Sequence, residues 1–180
     1  RAPPLAPSPP PAAGRASGFG LELARLGAKQ GLNLVITDVQ QDALDAAYAE
    51  LTGMGAKVAA VRGDVSRAED VQALADLCLE RFGVPHIVIN NAGILRDVSF
   101  KKMTQQDWDL VYQVHVLGAM KVTHAAWSLM NDQGYGRIIN TASAAGIYGN
   151  FGQANYAMAK LGIHGFTQTL AAEGRKRNVI

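Results

Sequence analysis

The chain has 180 residues, which is enough for one domain with a single hydrophobic core. Hydrophobic residues make up 48% and charged residues 18%, and 17 basic against 15 acidic residues leave a net charge of +2, so we expect no nucleic acid partner. No apolar run approaches the length of a membrane span and one cysteine excludes an internal disulfide, so we expect no membrane partner and a reducing compartment.

Residues 1–13 are rich in proline and alanine, which predicts a disordered or polyproline-like segment. From residue 14 onward the pattern predicts alternating elements: helices at about 18–30, 42–51, 66–82, 104–130 and 153–173, and strands at about 32–37, 57–61, 86–89, 137–141 and from 179. We expect Ser66 and Glu69 to form a capping box, and Thr104 to cap the long fourth helix. Apolar strands separated by helices predict an α/β fold with a doubly wound, Rossmann-like parallel sheet.

A glycine-rich loop leads directly into the first predicted helix. Glycines let the backbone approach a pyrophosphate, and a helix N-terminus offers free N–H groups to it. The G-x-x-x-G-x-G spacing differs from the usual dinucleotide fingerprint, so a purely structural loop is the alternative. The candidate cofactor-binding residues here are Gly14, Ser17, Gly18, Phe19 and Gly20.

Asp38 ends the next predicted strand, about twenty residues further on, where a carboxylate can accept hydrogen bonds from a ribose 2′-hydroxyl. The same charge would repel a 2′-phosphate, so we expect NAD rather than NADP. Arg15 lies nearby and keeps NADP open as the alternative. The structural interpretation of Asp38 is a residue that begins a turn.

Tyr156 and Lys160 are four residues apart on a predicted helix and therefore share one face. A phenol is a weak base at neutral pH, and a neighbouring ammonium stabilises its ionised form. Ser143 follows the predicted strand at 137–141, where its hydroxyl can hold a substrate oxygen while Tyr156 exchanges a proton. The alternatives are a chance pair on a surface helix and a serine that only caps a helix.

These pieces occur in one order, and that order resembles the short-chain dehydrogenase/reductase family across nearly all of residues 14–180. The matching pieces are GRASGFG at 14–20, Asp38, GDV at 63–65, NNAG at 90–93, Ser143 and YAMAK at 156–160. The resemblance implies a nicotinamide-dependent oxidoreductase with Tyr156 as the acid/base and Lys160 on the nicotinamide ribose. It also implies that the adenine and adenosine side of the cofactor meets Asp64, Val65, Asn90, Asn91, Ala92 and Gly93.

One departure from the family lies in the long helix, where the usual Asn is replaced by His115. In the family, the backbone carbonyl of that Asn is credited with holding a water beside the lysine. A backbone role tolerates the change, so His115 is a candidate member of the catalytic relay, and a core histidine is the alternative. The other histidines lack a partner at ligand spacing, so we expect no metal site.

The segments at 90–100 and 135–162 resemble the (3R)-hydroxyacyl-CoA dehydrogenase branch of the family, found in peroxisomal multifunctional enzymes and bacterial relatives. This implies oxidation of a 3-hydroxyacyl-CoA; the alternatives are a polyol, sugar or steroid alcohol as substrate, or a non-catalytic fragment of the fold. The family pairs its long helices between subunits, which implies a homodimer or homotetramer. We expect a cytoplasmic protein, with a peroxisomal one as the alternative.

Two parts of the family pattern have no counterpart in the sequence. The family's first strand precedes Gly14 in the middle of the sheet, where Pro9, Pro10 and Pro11 make a strand unfavourable. The family's C-terminal strands would follow Ile180. We therefore expect residues 14–180 to form an incomplete domain with exposed apolar surface, poorly stable or inactive as a monomer.

Overall fold

Residues 18–180 are described by a computed structural model; the segment 1–13 and the predicted loop residues Gly14 and Ser17 lie outside this range. Helices and strands alternate along it, so the predicted α/β fold with parallel strands is confirmed. The elements are α1 Phe19–Lys29, β1 Leu34–Asp38, α2 Gln41–Gly53, β2 Val58–Arg62, α3 Ala68–Phe82, β3 Ile87–Asn90, α4 Gln105–Tyr112, α5 Gly118–Gln133, β4 Arg137–Asn140, α6 Ala144–Tyr148 and α7 Ala154–Gly174. Short 3₁₀ turns occupy Phe100–Lys102 and Arg175–Arg177, and a π turn covers Gln113–Leu117.

The strands form two parallel pairs. Strand β1 pairs with β2 so that Asp38 lies opposite Arg62, and β3 pairs with β4 so that Asn90 lies opposite Asn140. A parallel bridge between Gly136 and Val179 adds a third chain segment beside β4, where the sequence predicts a strand to start. Because all strands within a pair run the same way, their carboxyl ends share one edge, where such sheets bind ligands.

A cleft of about 880 Å³ separates β1 from β3. Leu34 donates its N–H to Lys57 O and Gly63 donates to Asp38 O, so the alternate residues Val35 and Thr37 direct their backbone groups towards the cleft. By the same alternation, Ile87 and Ile89 of β3 face the cleft from the other side. Across residues 18–180 no strand pairs with either of these edges. Within residues 18–180 an apolar cleft therefore lies between the two strand pairs.

The helix α3 does not begin as the sequence suggests. It starts at Ala68, and the residue before it makes no side-chain cap, so the capping box predicted for Ser66 and Glu69 is wrong. Two aspartates satisfy this turn instead: Asp70 accepts from the N–H of Asp64 at 2.9 Å, and Asp64 accepts from the N–H of Ser66 at 2.9 Å. Carboxylates are stronger acceptors than a serine hydroxyl, which explains why they determine the turn.

The long helix predicted at 104–130 is interrupted. Thr104 caps α4 in a reciprocal capping box with Asp107, which confirms its start. The π turn at Gln113–Leu117 then separates α4 from α5. Turns of this kind are frequent at functional sites. His115 lies at the centre of this one.

Candidate active site

The carboxyl ends of β3 and β4 are joined by side-chain amides. The Nδ2 group of Asn90 donates to Asn140 Oδ1 at 2.8 Å and to Thr123 Oγ1 of α5 at 2.9 Å. The Nδ2 group of Asn140 donates to Thr167 Oγ1 of α7 at 2.9 Å. These bonds connect the ends of β3 and β4 to α5 and α7. Asn90 therefore helps to fix the geometry of this sheet edge through its bonds to Asn140 and Thr123.

Lys160 is directed from α7 to the same edge. Its Nζ donates to the backbone oxygen of Thr141 at 2.6 Å, and Thr141 Oγ1 donates to Asn91 Oδ1 at 3.2 Å. The lysine is only 4% exposed. Burial lowers the pKa of Lys160 to about 8, so the amine stays largely protonated at neutral pH but loses its charge in mild alkali.

Tyr156 lies between Lys160 and His115. The Lys160 Nζ lies 5.7 Å from the centroid of the Tyr156 ring, and the His115 ring meets the Tyr156 ring edge-on with 5.2 Å between centroids. The start of α7 is fixed by the fully buried Asn155, whose Oδ1 accepts from the N–H of Tyr156 and whose Nδ2 donates to Asp107 O of α4. Three predicted catalytic residues are thus brought together.

Ser143 caps the helix α6. Its Oγ accepts from the N–H of Ala145 at 3.2 Å, so the helix-capping role that was the alternative for this serine is observed. A capping oxygen uses a lone pair and keeps its own proton for another acceptor. Helix α6 lies tightly against α7, since a Cβ added at Gly146 would lie 2.8 Å from the N atom of Leu161. Ser143 therefore caps a helix that packs against α7, the helix that contains Tyr156.

The predicted cofactor residues occupy the ends of β1, β2 and β3. Asp38 is buried, and its Oδ1 accepts from the N–H of Gln40 at 2.9 Å, which is the turn role given as the alternative. Gly18, with a φ of 85°, precedes the first turn of α1 in a conformation that favours glycine. Phe19 is 79% exposed at the same helix start.

The cleft between the strand pairs extends to this edge and unites most of the candidates. It is lined by Gly20, Asp38, Asp64, Val65, Asn90, Asn91, Ala92, Gly93, His115 and Lys160. Gly18, Phe19, Ser143 and Tyr156 are not among the residues that line it. A carboxylate at the end of β1, a glycine-led helix start and polar turns after the strands match the donors and acceptors of a dinucleotide. The residues present therefore fit a nicotinamide dinucleotide.

Several residues of the site were missed by the sequence analysis. Asn140, Thr123 and Thr167 complete the amide chain, Thr141 receives the lysine, and Asn155 fixes the start of α7. One signal was available: IVIN and RIIN both end in Asn, and in a parallel sheet equivalent ends lie side by side. The remaining partners come from separate elements and leave no local pattern.

Within the part of the chain that the structure describes, no group of three His, Cys, Asp or Glu side chains is placed to hold a metal ion. No helix among residues 18–180 is long and apolar enough to cross a membrane.

The family model for short chain dehydrogenases matches residues 12–180. The chain therefore belongs to the short chain dehydrogenase family, whose members are oxidoreductases that use a nicotinamide cofactor.

Individual relatives are similar over nearly the whole chain. The peroxisomal hydratase-dehydrogenase-epimerase of Neurospora crassa is 43% identical over 93% of this chain and 19% of its own length. The peroxisomal multifunctional enzyme type 2 of Mus musculus is 44% identical over 92% of this chain and 23% of its own length. The 3-oxoacyl-[acyl-carrier-protein] reductase of Synechocystis is 39% identical over 92% of this chain and 68% of its own length. The chain thus spans about a fifth of the first two relatives.

Proposed function

We propose that this chain transfers a hydride between a secondary alcohol and NAD, with a 3-hydroxyacyl-CoA as the alcohol. The observation that carries the proposal is the placement of the buried Lys160 amine 5.7 Å from the Tyr156 ring at the ligand-binding edge of the sheet. In this arrangement Tyr156 is the group that exchanges a proton with the alcohol, beside the positive charge of Lys160.

The proton moves through residues of this chain. Tyr156 accepts the proton of the substrate hydroxyl as the alcohol becomes a ketone, and returns it in the reverse reaction. Ser143 donates a hydrogen bond to the same substrate oxygen with the proton that its capping role leaves available. Lys160 holds the nicotinamide ribose, and His115 supports the relay from the π turn. When bound, the nicotinamide supplies the hydride acceptor.

NAD is the proposed cofactor because Asp38 places a carboxylate at the end of β1, where it favours a ribose 2′-hydroxyl and opposes a 2′-phosphate. The pyrophosphate would meet the helix start at Gly18, Phe19 and Gly20, together with Gly14 and Ser17 of the same loop. The adenine side would meet Asp64 and Val65, and Asn90 to Gly93 would support the adenosine.

The substrate class rests on the relatives. One relative is named a peroxisomal hydratase-dehydrogenase-epimerase, and another is named a peroxisomal multifunctional enzyme. A third is named for the reduction of a 3-oxoacyl thioester. A 3-hydroxyacyl thioester is the reduced partner of a 3-oxoacyl thioester, which supports an acyl-CoA of fatty acid metabolism as the small-molecule partner.

The peroxisomal names favour a peroxisome over the cytoplasm as the compartment. A homodimer or homotetramer is proposed because α5 and α7 present exposed large apolar side chains, among them Met120 and Leu161. A monomeric mass in sedimentation would contradict the oligomer.

The second candidate is a non-catalytic form of the fold. It is favoured by the gap between β1 and β3, whose cleft-facing backbone groups have no strand partner among residues 18–180. Unpaired edges destabilise a sheet and leave its ligand edge poorly fixed.

The test is NADH formation by the purified chain with (3R)-3-hydroxybutyryl-CoA, compared with a polyol and a simple secondary alcohol. We expect the thioester to be preferred and Tyr156→Phe to lose at least about 100-fold in turnover, because it removes the proton acceptor. Tyr148→Phe is the matched control, since Tyr148 is 85% exposed, whereas Tyr156 lies beside Lys160 and His115. Undiminished turnover in Tyr156→Phe contradicts the mechanism, and a preference for the polyol contradicts only the substrate.

A further inference from the structure

The imidazole of His115 joins the long helix to the turn that follows β3. The side chain is 3% exposed, and its Nε2 lies 3.0 Å from the N atom and 2.8 Å from the O atom of Ile94. Ile94 comes directly after Gly93, which lines the cleft at its candidate cofactor side. The contact therefore connects two elements that are 21 residues apart in the sequence.

Gly93 is shaped to this ring. A Cβ added at Gly93 would lie 2.5 Å from His115 Cε1 and 3.3 Å from each ring nitrogen, closer than packed atoms approach. Gly93 is not among the glycines with positive φ, so its backbone conformation alone would accept a side chain. The glycine is required at this position because the His115 ring occupies the space.

The same ring also contacts the proton-transferring residue. His115 and Tyr156 meet edge to face at an interplanar angle of 89°. This is a preferred geometry for aromatic pairs, and it limits how far the phenol ring can tilt. The His115 side chain thus contacts both the Gly93–Ile94 turn and the phenol ring of Tyr156.

The ring is neutral at physiological pH. Burial, reinforced by the charge of Lys160, lowers the pKa of His115 to about 4. A neutral imidazole offers one N–H and one lone pair, and Nε2 uses one of them on Ile94. Nδ1 is buried without a hydrogen-bond partner among residues 18–180. Steric fit and the contact to Ile94 therefore hold the ring, and no ion pair is involved.

We propose that the His115 side chain is a positioning residue that holds the Gly93–Ile94 turn and the Tyr156 ring in one fixed arrangement, an inference that rests on the proposed function. The turn supports the cofactor and the phenol moves the proton, so their relative placement sets whether the reacting atoms align. This role belongs to the imidazole itself and is separate from a backbone role of the same residue.

The first test is a cycle of four proteins: wild type, Gly93→Ala, His115→Ala and the double variant, each measured for NADH affinity by fluorescence. We expect Gly93→Ala to weaken binding about tenfold in the wild-type background, because the new methyl group displaces the ring. In the His115→Ala background the same change should cost less than about twofold, because the space is open. Gly165→Ala, where nothing lies within 4 Å of an added Cβ, is the matched control. Equal losses from Gly93→Ala in both backgrounds would overturn the proposal.

The second test separates the two contacts of the ring. His115→Gln keeps a side-chain amide for Ile94 but removes the ring that contacts Tyr156. We expect it to retain NADH affinity within about twofold while kcat falls about tenfold, whereas His115→Ala loses both. Identical kcat and affinity in the Gln and Ala variants would contradict the division of roles.

A third readout needs no cofactor. The Ile94 amide should exchange with solvent at least about tenfold faster in His115→Ala than in wild type, because removal of the ring that packs against the backbone of Ile94 loosens this turn and exposes it. Unchanged exchange of that amide contradicts the proposal even in a protein that oxidises alcohols. Failure of the wild type to bind NADH would instead contradict the proposed function, while the exchange result still decides the contact.

Discussion

Lys160 combines burial with a charge that the proposed mechanism uses. Its stem lies inside the contact of α7 with the sheet edge, and its Nζ donates to the backbone oxygen of Thr141. Burial makes the ammonium less favourable in the folded protein than in the unfolded chain, which is why its pKa falls from 10.5 to about 8. The folded state therefore carries a cost at neutral pH that disappears once the amine loses its proton.

The sign of the resulting pH dependence follows from that shift. Between pH 8 and 10.5 the unfolded lysine binds more protons than the folded one, so the free energy of unfolding rises with pH across this window. We expect the contribution of Lys160 to reach at most about 3 kcal/mol. The measurement is urea unfolding of wild type and Lys160→Met at several pH values, because the difference between them removes all other titrating groups. A difference that stays constant from pH 8 to 10.5 would show that the amine is not held in a buried environment.

Single residues differ in how far the sequence could predict their role. Tyr156 and Lys160 could be paired because a spacing of four residues on a helix fixes a shared face. The contact of His115 with Ile94 could not be predicted, because it joins positions in different elements. Ser143 shows the limit of a motif: its spacing points to a substrate contact, while the structure shows a helix cap that leaves the substrate role open.

At the scale of elements, the distance between α6 and α7 determines the position of Ser143 relative to Tyr156. Gly146 makes the approach close enough that an added Cβ would lie 2.8 Å from Leu161 N and 3.2 Å from Ala157 O. Both of these are backbone atoms, which cannot rotate away as a side chain can. The distance between the two helices is therefore set by the absence of a side chain at one position.

We expect Gly146→Ala to push α6 away from α7 and to lower kcat about 10- to 100-fold, because it displaces Ser143 relative to Tyr156. Unfolding free energy should fall by about 1–3 kcal/mol, as in other overpacked contacts. Gly162→Ala on α7 is the control, since nothing lies within 4 Å of its added Cβ. Steady-state kinetics and thermal unfolding measure the two effects, and a Gly146→Ala variant as active as Gly162→Ala would refute the importance of this approach.

Elements were predictable where the signal is local. The start of α4 follows from Thr104 and Asp107, both of which bond to each other's backbone. The start of α3 was not predictable from Ser66 and Glu69, because Asp64 accepts from the N–H of Ser66 that the capping box would use. The π turn at Gln113–Leu117, which contains the buried His115, was also missed, because the apolar pattern of the sequence does not change there.

At the scale of the whole molecule, the two strand pairs face each other across the cleft. Alternation of apolar strands and helices was enough to predict the parallel arrangement, because a helix between two strands returns the chain so that both run in the same direction. The order of the strands in space was not visible in the pattern, and neither was the course of the cleft from the strand edges to Asp38 and Lys160. The cleft thus extends from the edges of β1 and β3, which have no strand partner among residues 18–180, to the candidate active site.

Amide exchange tests whether this gap is open in solution. We expect the amides of Val35, Thr37, Ile87 and Ile89, which face the cleft, to exchange at least about tenfold faster than those bonded within the strand pairs. Ile36 and Val88 are internal controls on the same strands, since they bond to β2 and β4. Equal protection of both sets would mean that another strand fills the gap, whether from a second copy or from another segment of chain.

The central claim is that Tyr156 exchanges a proton while a hydride passes between substrate and NAD. The most direct measurement follows deuterium from 3-hydroxybutyryl-CoA, labelled at the carbon that bears the hydroxyl, into NADH by mass spectrometry. We expect the label to appear in NADH with wild type and Tyr148→Phe, and to be reduced at least about 100-fold with Tyr156→Phe although that variant still binds NADH. Label transfer that is equal in wild type and Tyr156→Phe would contradict the account.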